Sequence, residues 1–141
     1  PSDCNNRQRP VVKAIRLPVK NNPNKLDYDN LLIQLLESKK YLEFCSAVLL
    51  DAHSSGFGGS GQSFNWSVLS EVKSILSNKW VLSGGLNIKN ITTAIKLYKP
   101  PSIDISSGVE TRLNGLTLKG VKDKEKIKIF VDTVSNIDSE V

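Results

Sequence analysis

Four short apolar runs, near residues 11–17 (VVKAIRL), 47–51 (AVLLD), 80–83 (WVLS) and 103–106 (IDIS), are each followed by a longer stretch with helical spacing. Branched residues crowd the first run and Pro18 stops it. Near-continuous apolar runs this short suit strands buried on both faces. Between them, Tyr28, Leu31, Leu32, Leu35 and Leu36 form one stripe, with Asp27 or Asp29 at its start. Val68, Leu69, Val72, Ile75 and Leu76 form a second, beginning near Asn65. Ile91, Ala94, Ile95 and Tyr98 form a third, capped by Asn87, and Ile127, Phe130, Val131 and Val134 a fourth, entered through Asp123. These stripes read as core packing. Strand followed by helix, four times over, predicts an α/β protein with a parallel sheet and helices outside it. Right-handed crossovers put all the helices on one side. Four such units are half of an eight-unit barrel, with two open strand edges and an apolar inner face that call for a partner.

The 141 residues suffice for one domain, which at this size buries about two thirds of its unfolded surface. A content of 39% hydrophobic and 23% charged residues argues against disorder. The apolar runs are too short to span a bilayer, and the polar lead-in at 1–10 (PSDCNNRQRP) lacks a signal-peptide core. Cys4 and Cys45 show no C-x-x-C spacing, so neither a metal site nor a disulfide framework is indicated, and a reducing cytoplasm is expected. The net charge of +5 centres on residues 119–128, where acids alternate with lysines and no aromatic residue is interleaved. That reads as a solvated helix start rather than a nucleic-acid surface. The chain contains no methionine and begins at Pro1, which we take as the mark of a piece of a longer protein.

In α/β architectures the chemistry sits in loops after the carboxyl ends of strands. After the second run stands Asp51, followed by a loop with four glycines in six residues, Gly58, Gly59 and Gly61 among them. A carboxylate at a strand end, partly desolvated, has its pKa raised towards the range of a general acid; equally, it could be satisfied by N–H groups of its own loop. His53, the one histidine, has no serine or cysteine partner in triad context and reads as a loop residue. After the third run come Ser83, Gly84 and Gly85, and after the fourth Ser106, Ser107 and Gly108. Glycine lets backbone N–H groups approach an anion, and serine hydroxyls donate further bonds. Either turn alone is explained by tight geometry; the pair, on the last two strands, is where barrel enzymes bind phosphate. Asp104, inside the fourth run, must face the site or meet a basic partner if it is not to be buried unpaired.

Six ordered motifs, VKAIR (12–16), LLDA (49–52), GGSGQSFNW (58–66), LSGGL (82–86), IDISSGVE (103–110) and GVKDKEKI (120–127), resemble the C-terminal part of phosphoribosylanthranilate isomerase from residue 11 on. The resemblance implies a (βα)8 TIM barrel of tryptophan biosynthesis, with residues 11–141 as strands five to eight, a (βα)4 half-barrel. It implies an aldose–ketose isomerase carrying out an Amadori rearrangement of N-(5-phosphoribosyl)anthranilate, a small sugar-phosphate substrate, with no cofactor, metal, nucleic acid or membrane. Asp51 matches the family's general acid, Gly84, Gly85, Ser107 and Gly108 its phosphate loops, and Asp104 an aspartate lining the site.

The sequence departs from the family pattern in places. Ser60, Gln62, Ser63 and Asn65 stand where the family commonly has Thr, Lys, Thr and Asp, and Gln62 brings no charge to the mouth. The link after Glu110, TRLNGLTLKGVKD, is longer than usual and reads as a surface insertion in the last loop, bordering the phosphate turn. The family's general-base cysteine in K-x-C-G and its Q-L-H-G motif do not occur in the chain, and Cys4, in a polar segment with no glycine after it, does not take that role. The missing half is therefore expected from the same parent chain or from self-association. The alternatives are a non-catalytic phosphate-binding half-barrel that survives as a homodimer, and another sugar-phosphate barrel isomerase; the 58–66 loop argues against the latter.

Overall fold

The computed structural model of the protein describes residues 9–17, 25–51 and 69–139. Three strands form a parallel sheet in sequence order: β1 (Val12–Arg16), β2 (Ala47–Asp51) and β3 (Trp80–Ser83). Val48 lies beside Lys13 and Trp80, and Leu50 beside Ile15 and Leu82. Helices α1 (Lys25–Ser38), α2 (Leu69–Leu76) and α3 (Ile91–Tyr98) alternate with the strands, and α4 (Lys124–Ser139) closes the described chain. Among the described residues, no helix is long and apolar enough to cross a membrane.

The core lies between the sheet and the helices. It joins Val48, Leu50, Trp80 and Leu82 to Leu31 and Leu35 of α1, Leu69, Val72 and Leu76 of α2, Ile91 and Ala94 of α3, and Phe130 of α4. Among the described residues the helical stripes are thus core-facing, apart from their outer members: Leu36, Ile127 and Val131 are exposed, and Val68 lies outside the described residues. Helix ends follow local chemistry. Asp123 Oδ1 accepts the N–H groups of Glu125 and Lys126 at 3.0 and 3.1 Å and so caps α4. Lys99, in the left-handed region with φ 45°, ends α3 ahead of Pro100 and Pro101. Asn90, not Asn87, directly precedes α3; Asn87 caps the preceding turn, its Oδ1 accepting the Lys89 N–H at 2.9 Å.

Two expectations for the sheet need correction. Burial on both faces does not hold, because β2 alternates between buried and half-buried positions and β1 is largely exposed, with Val12 at 49%. Side chains of a strand alternate between faces, and among the described residues the helices cover only the face of Val48 and Leu50. Nor does the run near 103–106 form a strand. It touches β3 through a single parallel bridge, Leu82 with Ile103, where Leu82 donates to the Ser102 carbonyl at 2.9 Å and the Asp104 N–H to the Leu82 carbonyl at 2.8 Å. Pro100 and Pro101 bring the chain in, and a short 3-10 turn, Ser107–Val109, takes it away again.

The lysine-rich segment is also not simply a helix start. Residues 110–122 form an antiparallel hairpin of β4 (Glu110–Leu113) and β5 (Leu116–Lys122), so Lys119 and Lys122 lie on a strand and only the later lysines enter α4. Asn114 and Gly115 turn it, with φ of 52° and 81°, the pair of positive angles that the tightest hairpin turns require. The longer link after Glu110 is this hairpin.

Candidate functional site

The ladder brings the polar strand ends together. Arg16 is paired with Asp51, and Asp51 with Ser83. All three are on the face opposite Val48 and Leu50, away from the helices. Asp104, one residue past the Ile103 bridge, shares that face, and neighbouring strands lie only about 4.8 Å apart. The Ser83 hydroxyl donates to Asp104 Oδ2 at 2.7 Å. Ser83 is buried, Asp51 half-buried, and Arg16 and Asp104 exposed. Asp104 therefore meets a hydroxyl rather than a basic partner, and exposure to water removes the burial cost expected for it.

The two glycine turns are packed onto one another. Gly84 and Gly85 have φ of 84° and 66°, which only glycine adopts without strain. The Gly85 carbonyl accepts the side-chain amides of Asn87 and Asn90 at 3.1 and 2.9 Å, and Asn90 Oδ1 accepts the Asn87 N–H at 2.8 Å, so the entry to α3 is rigidly tied to this turn. Gly108 of the second turn lies so close that a Cβ there would overlap the Leu86 carbonyl oxygen and come within 3.0 Å of Asn87 Cα. Gly84, Gly85, Ser107 and Gly108 are thereby brought to one place beside the Asp51 row.

A cation reaches the same turn from the hairpin. Lys122 Nζ donates to the Ser106 carbonyl at 2.9 Å, Ser106 Oγ at 3.1 Å and Glu110 Oε1 at 3.2 Å. Glu110 is buried and its Oε1 also accepts the Gly120 N–H at 2.9 Å. That N–H, with Lys122 beside it and Lys119 nearby, holds the Glu110 carboxyl below the usual carboxylate range against the opposing effect of burial. Lys126 Nζ donates to the Glu110 carbonyl at 2.6 Å. Sequence reasoning missed Lys122, Glu110 and Arg16, and it placed Ser83 in the third-strand turn without its bond to Asp104. For the first two the signal was present: Asn-Gly flanked by Leu113 and Leu116 marks a hairpin, and that hairpin folds Lys122 back onto Ser106. Gly58, Gly59, Gly61, His53 and Cys4 lie outside the described residues. Among the described residues, no group of three or more His, Cys, Asp or Glu is placed to hold a metal ion.

Parallel strands alternating with helices, with acids and glycine turns gathered at the carboxyl ends of the strands, define an α/β protein whose polar groups meet at one end of a parallel sheet. Comparison with known proteins narrows this. The family model for N-(5'-phosphoribosyl)anthranilate (PRA) isomerase matches residues 8–133, and the chain belongs to that family. The N-(5'-phosphoribosyl)anthranilate isomerase of Azotobacter vinelandii is 36% identical over 139 residues, 96% of this chain and 56% of that protein. The crystal structure of phosphoribosyl anthranilate isomerase from Thermotoga maritima superposes with a TM-score of 0.64 at 32% identity, over 92% of this chain and 53% of that one. A phosphoribosyl anthranilate isomerase solved in complex with reduced 1-(o-carboxyphenylamino)-1-deoxyribulose 5-phosphate superposes at 0.58 with 29% identity, over 90% of this chain and 49% of that one. The chain spans about half the length of the relatives it matches.

Proposed function

We propose that the chain is the acid- and phosphate-bearing portion of a phosphoribosylanthranilate isomerase, acting in tryptophan biosynthesis in the cytoplasm. The observation that carries this reading is the packing of Gly108 against Leu86, which sets the two glycine turns side by side next to the row of Asp51, Ser83 and Asp104. Membership of the family and the ligand held by the solved relative support the substrate class.

In this reading Asp51 protonates the ring oxygen of N-(5-phosphoribosyl)anthranilate, the C1′–O bond breaks, and an imine forms with the anthranilate nitrogen. A base then removes the C2′ proton, leaving an enol that ketonises to the deoxyribulose product. Nothing is oxidised or reduced overall; two electrons shift from C2′ to C1′. Gly84, Gly85, Ser106, Ser107 and Gly108 grip the phosphate and so fix the ribose above Asp51, while Asp104, oriented by Ser83, lines the site. The base comes from the other half of a barrel, in the same parent chain or in a partner. Its strands meet the free edge of β1, where Val12 is exposed, and the half-open face of Ala14, Leu49 and Val81. Residues 11–141 then supply four of the eight strand–helix units, with the 103–105 segment as the fourth strand once it gains a second neighbour.

The test is turnover. The chain is combined with a separately expressed N-terminal portion of the Azotobacter vinelandii relative, and loss of anthranilate-conjugate fluorescence is followed. Turnover that neither part shows alone is the expected result. A mixture that associates and binds inorganic phosphate, yet leaves the substrate unchanged, would refute the catalytic reading and favour a phosphate-binding protein.

A further inference from the structure

The cation beside the 106–108 turn has no proton to spare for a ligand. An ammonium carries three N–H donors, and Lys122 directs its donors to the Ser106 carbonyl, Ser106 Oγ and Glu110 Oε1 at 2.9, 3.1 and 3.2 Å. It offers an anion its charge through space, and the directed hydrogen bond at this place has to come from Ser106. A hydroxyl has one proton and two lone pairs. With one lone pair facing the Lys122 ammonium, the Ser106 proton points elsewhere, and Ser106 is exposed on the side of the turn. The same ammonium fixes the carbonyl of that residue, so both oxygens of Ser106 are held by one group.

Glu110 holds Lys122 in turn. It is 8% exposed, and the Gly120 N–H orients its carboxylate from the opposite strand. Gly120 has φ 81°, and no atom lies within 4 Å of where a Cβ would stand, so glycine is needed there for the backbone bend and not for space. The other charged groups around Glu110 are Lys126, on its carbonyl at 2.6 Å, and Lys119. The remaining acid, Asp123, is engaged with the first N–H groups of α4. Lysines thus outnumber the one acid in this cluster that is not a helix cap.

We infer that Lys122 is a positioning residue for anion binding at the 106–108 turn: it clamps both oxygens of Ser106, aims the Ser106 hydroxyl proton at the anion, and is itself held by Glu110. The inference rests on the phosphate reading of that turn. It gives the β4–β5 hairpin a task in the site rather than on the surface.

Calorimetric titration of inorganic phosphate into the full chain separates the possibilities. Loss of a charge-assisted arrangement predicts roughly tenfold weaker phosphate binding in Lys122→Met. Ser106→Ala should lose about as much, and the double variant no more than either single one, because residues acting as one unit are not additive. Lys122→Arg, which keeps the charge and the donors, should retain most of the affinity. Losses that add in the double variant would overturn the inference. So would undiminished phosphate affinity in Ser106→Ala, a variant that removes one exposed hydroxyl and leaves the core untouched even if Lys122→Met fails to fold. Absence of phosphate binding in the unaltered chain would instead remove the phosphate reading of the turn, and this inference with it.

Discussion

Ser83 and Asp104 are joined side chain to side chain, Oγ to Oδ2, at 2.7 Å, across the boundary between the last regular strand of the sheet and the segment that meets it through one bridge. A hydrogen bond to a carboxylate is stronger than one between neutral groups, and this one ties the 103–105 segment to β3 beside two backbone bonds. Asp104 is exposed, so water replaces the hydroxyl when it is removed. Ser83→Ala should therefore cost about 1.5 kcal/mol, the low end for a bond to a charged group, measured by urea unfolding. An unchanged midpoint, or a loss several times larger, would show that the bond does not act as a tether.

Asp51→Asn should lower turnover of the assembled enzyme by roughly 10²–10⁴-fold, the usual contribution of a positioned acid. Phosphate binding should hardly change, because the glycine turns lie on the following strand ends and not on β2. Full turnover in Asp51→Asn would transfer the role of acid elsewhere.

The strand–helix alternation was legible because each apolar run is short and each stripe keeps helical spacing. The runs near 11–17, 47–51 and 80–83 became strands at 12–16, 47–51 and 80–83. The run near 103–106 did not, since one neighbour and two entering prolines support only a bridge. Strand ends were legible as well, because a polar residue closing an apolar run must sit at the rim: Asp51, Gly84 and Gly85 were found that way. What could not be read was contact between distant positions. Ser83 meets Asp104 and Ser106 meets Lys122 only after the chain has turned through α3 or the hairpin. The pleat likewise decides that Leu49 and Val81 face away from the helices, although a continuous apolar run gives no sign of it.

Gly108→Ala should be far more damaging than an ordinary surface substitution. The added methyl would overlap the Leu86 carbonyl oxygen, and the neighbouring contact is Asn87 Cα, so backbone and not a flexible side chain must give way. Forcing a methyl into such a site typically costs about 1–3 kcal/mol. Phosphate affinity should fall along with stability, because the two turns are pushed apart. Thermal unfolding and phosphate titration check the two effects; a stable variant with full affinity would refute the close approach. Gly115→Ala is the control: it has free space around it and only its positive φ to strain.

Glu110 makes stability depend on pH in one direction. Its carboxyl is held below the ordinary value of 4.5, first by the Gly120 N–H and then by Lys122 and Lys119, although burial works the other way. A group whose folded value is lowered stabilises the fold while it is ionised in both states, that is, above the ordinary value. That contribution is lost progressively as pH falls from 4.5 through the folded value, where the native carboxylate also takes up its proton. The hairpin should feel this first, since Glu110 joins β4 to Gly120 and Lys122 of β5. Amide protection across β5, the exchange rate taken relative to the intrinsic rate at each pH, should therefore fall on acidification below about pH 4.5. Glu110→Gln should show faster exchange already at neutral pH and a flatter acid response. Equal acid sensitivity in the variant and the unaltered chain would assign the effect to other carboxylates.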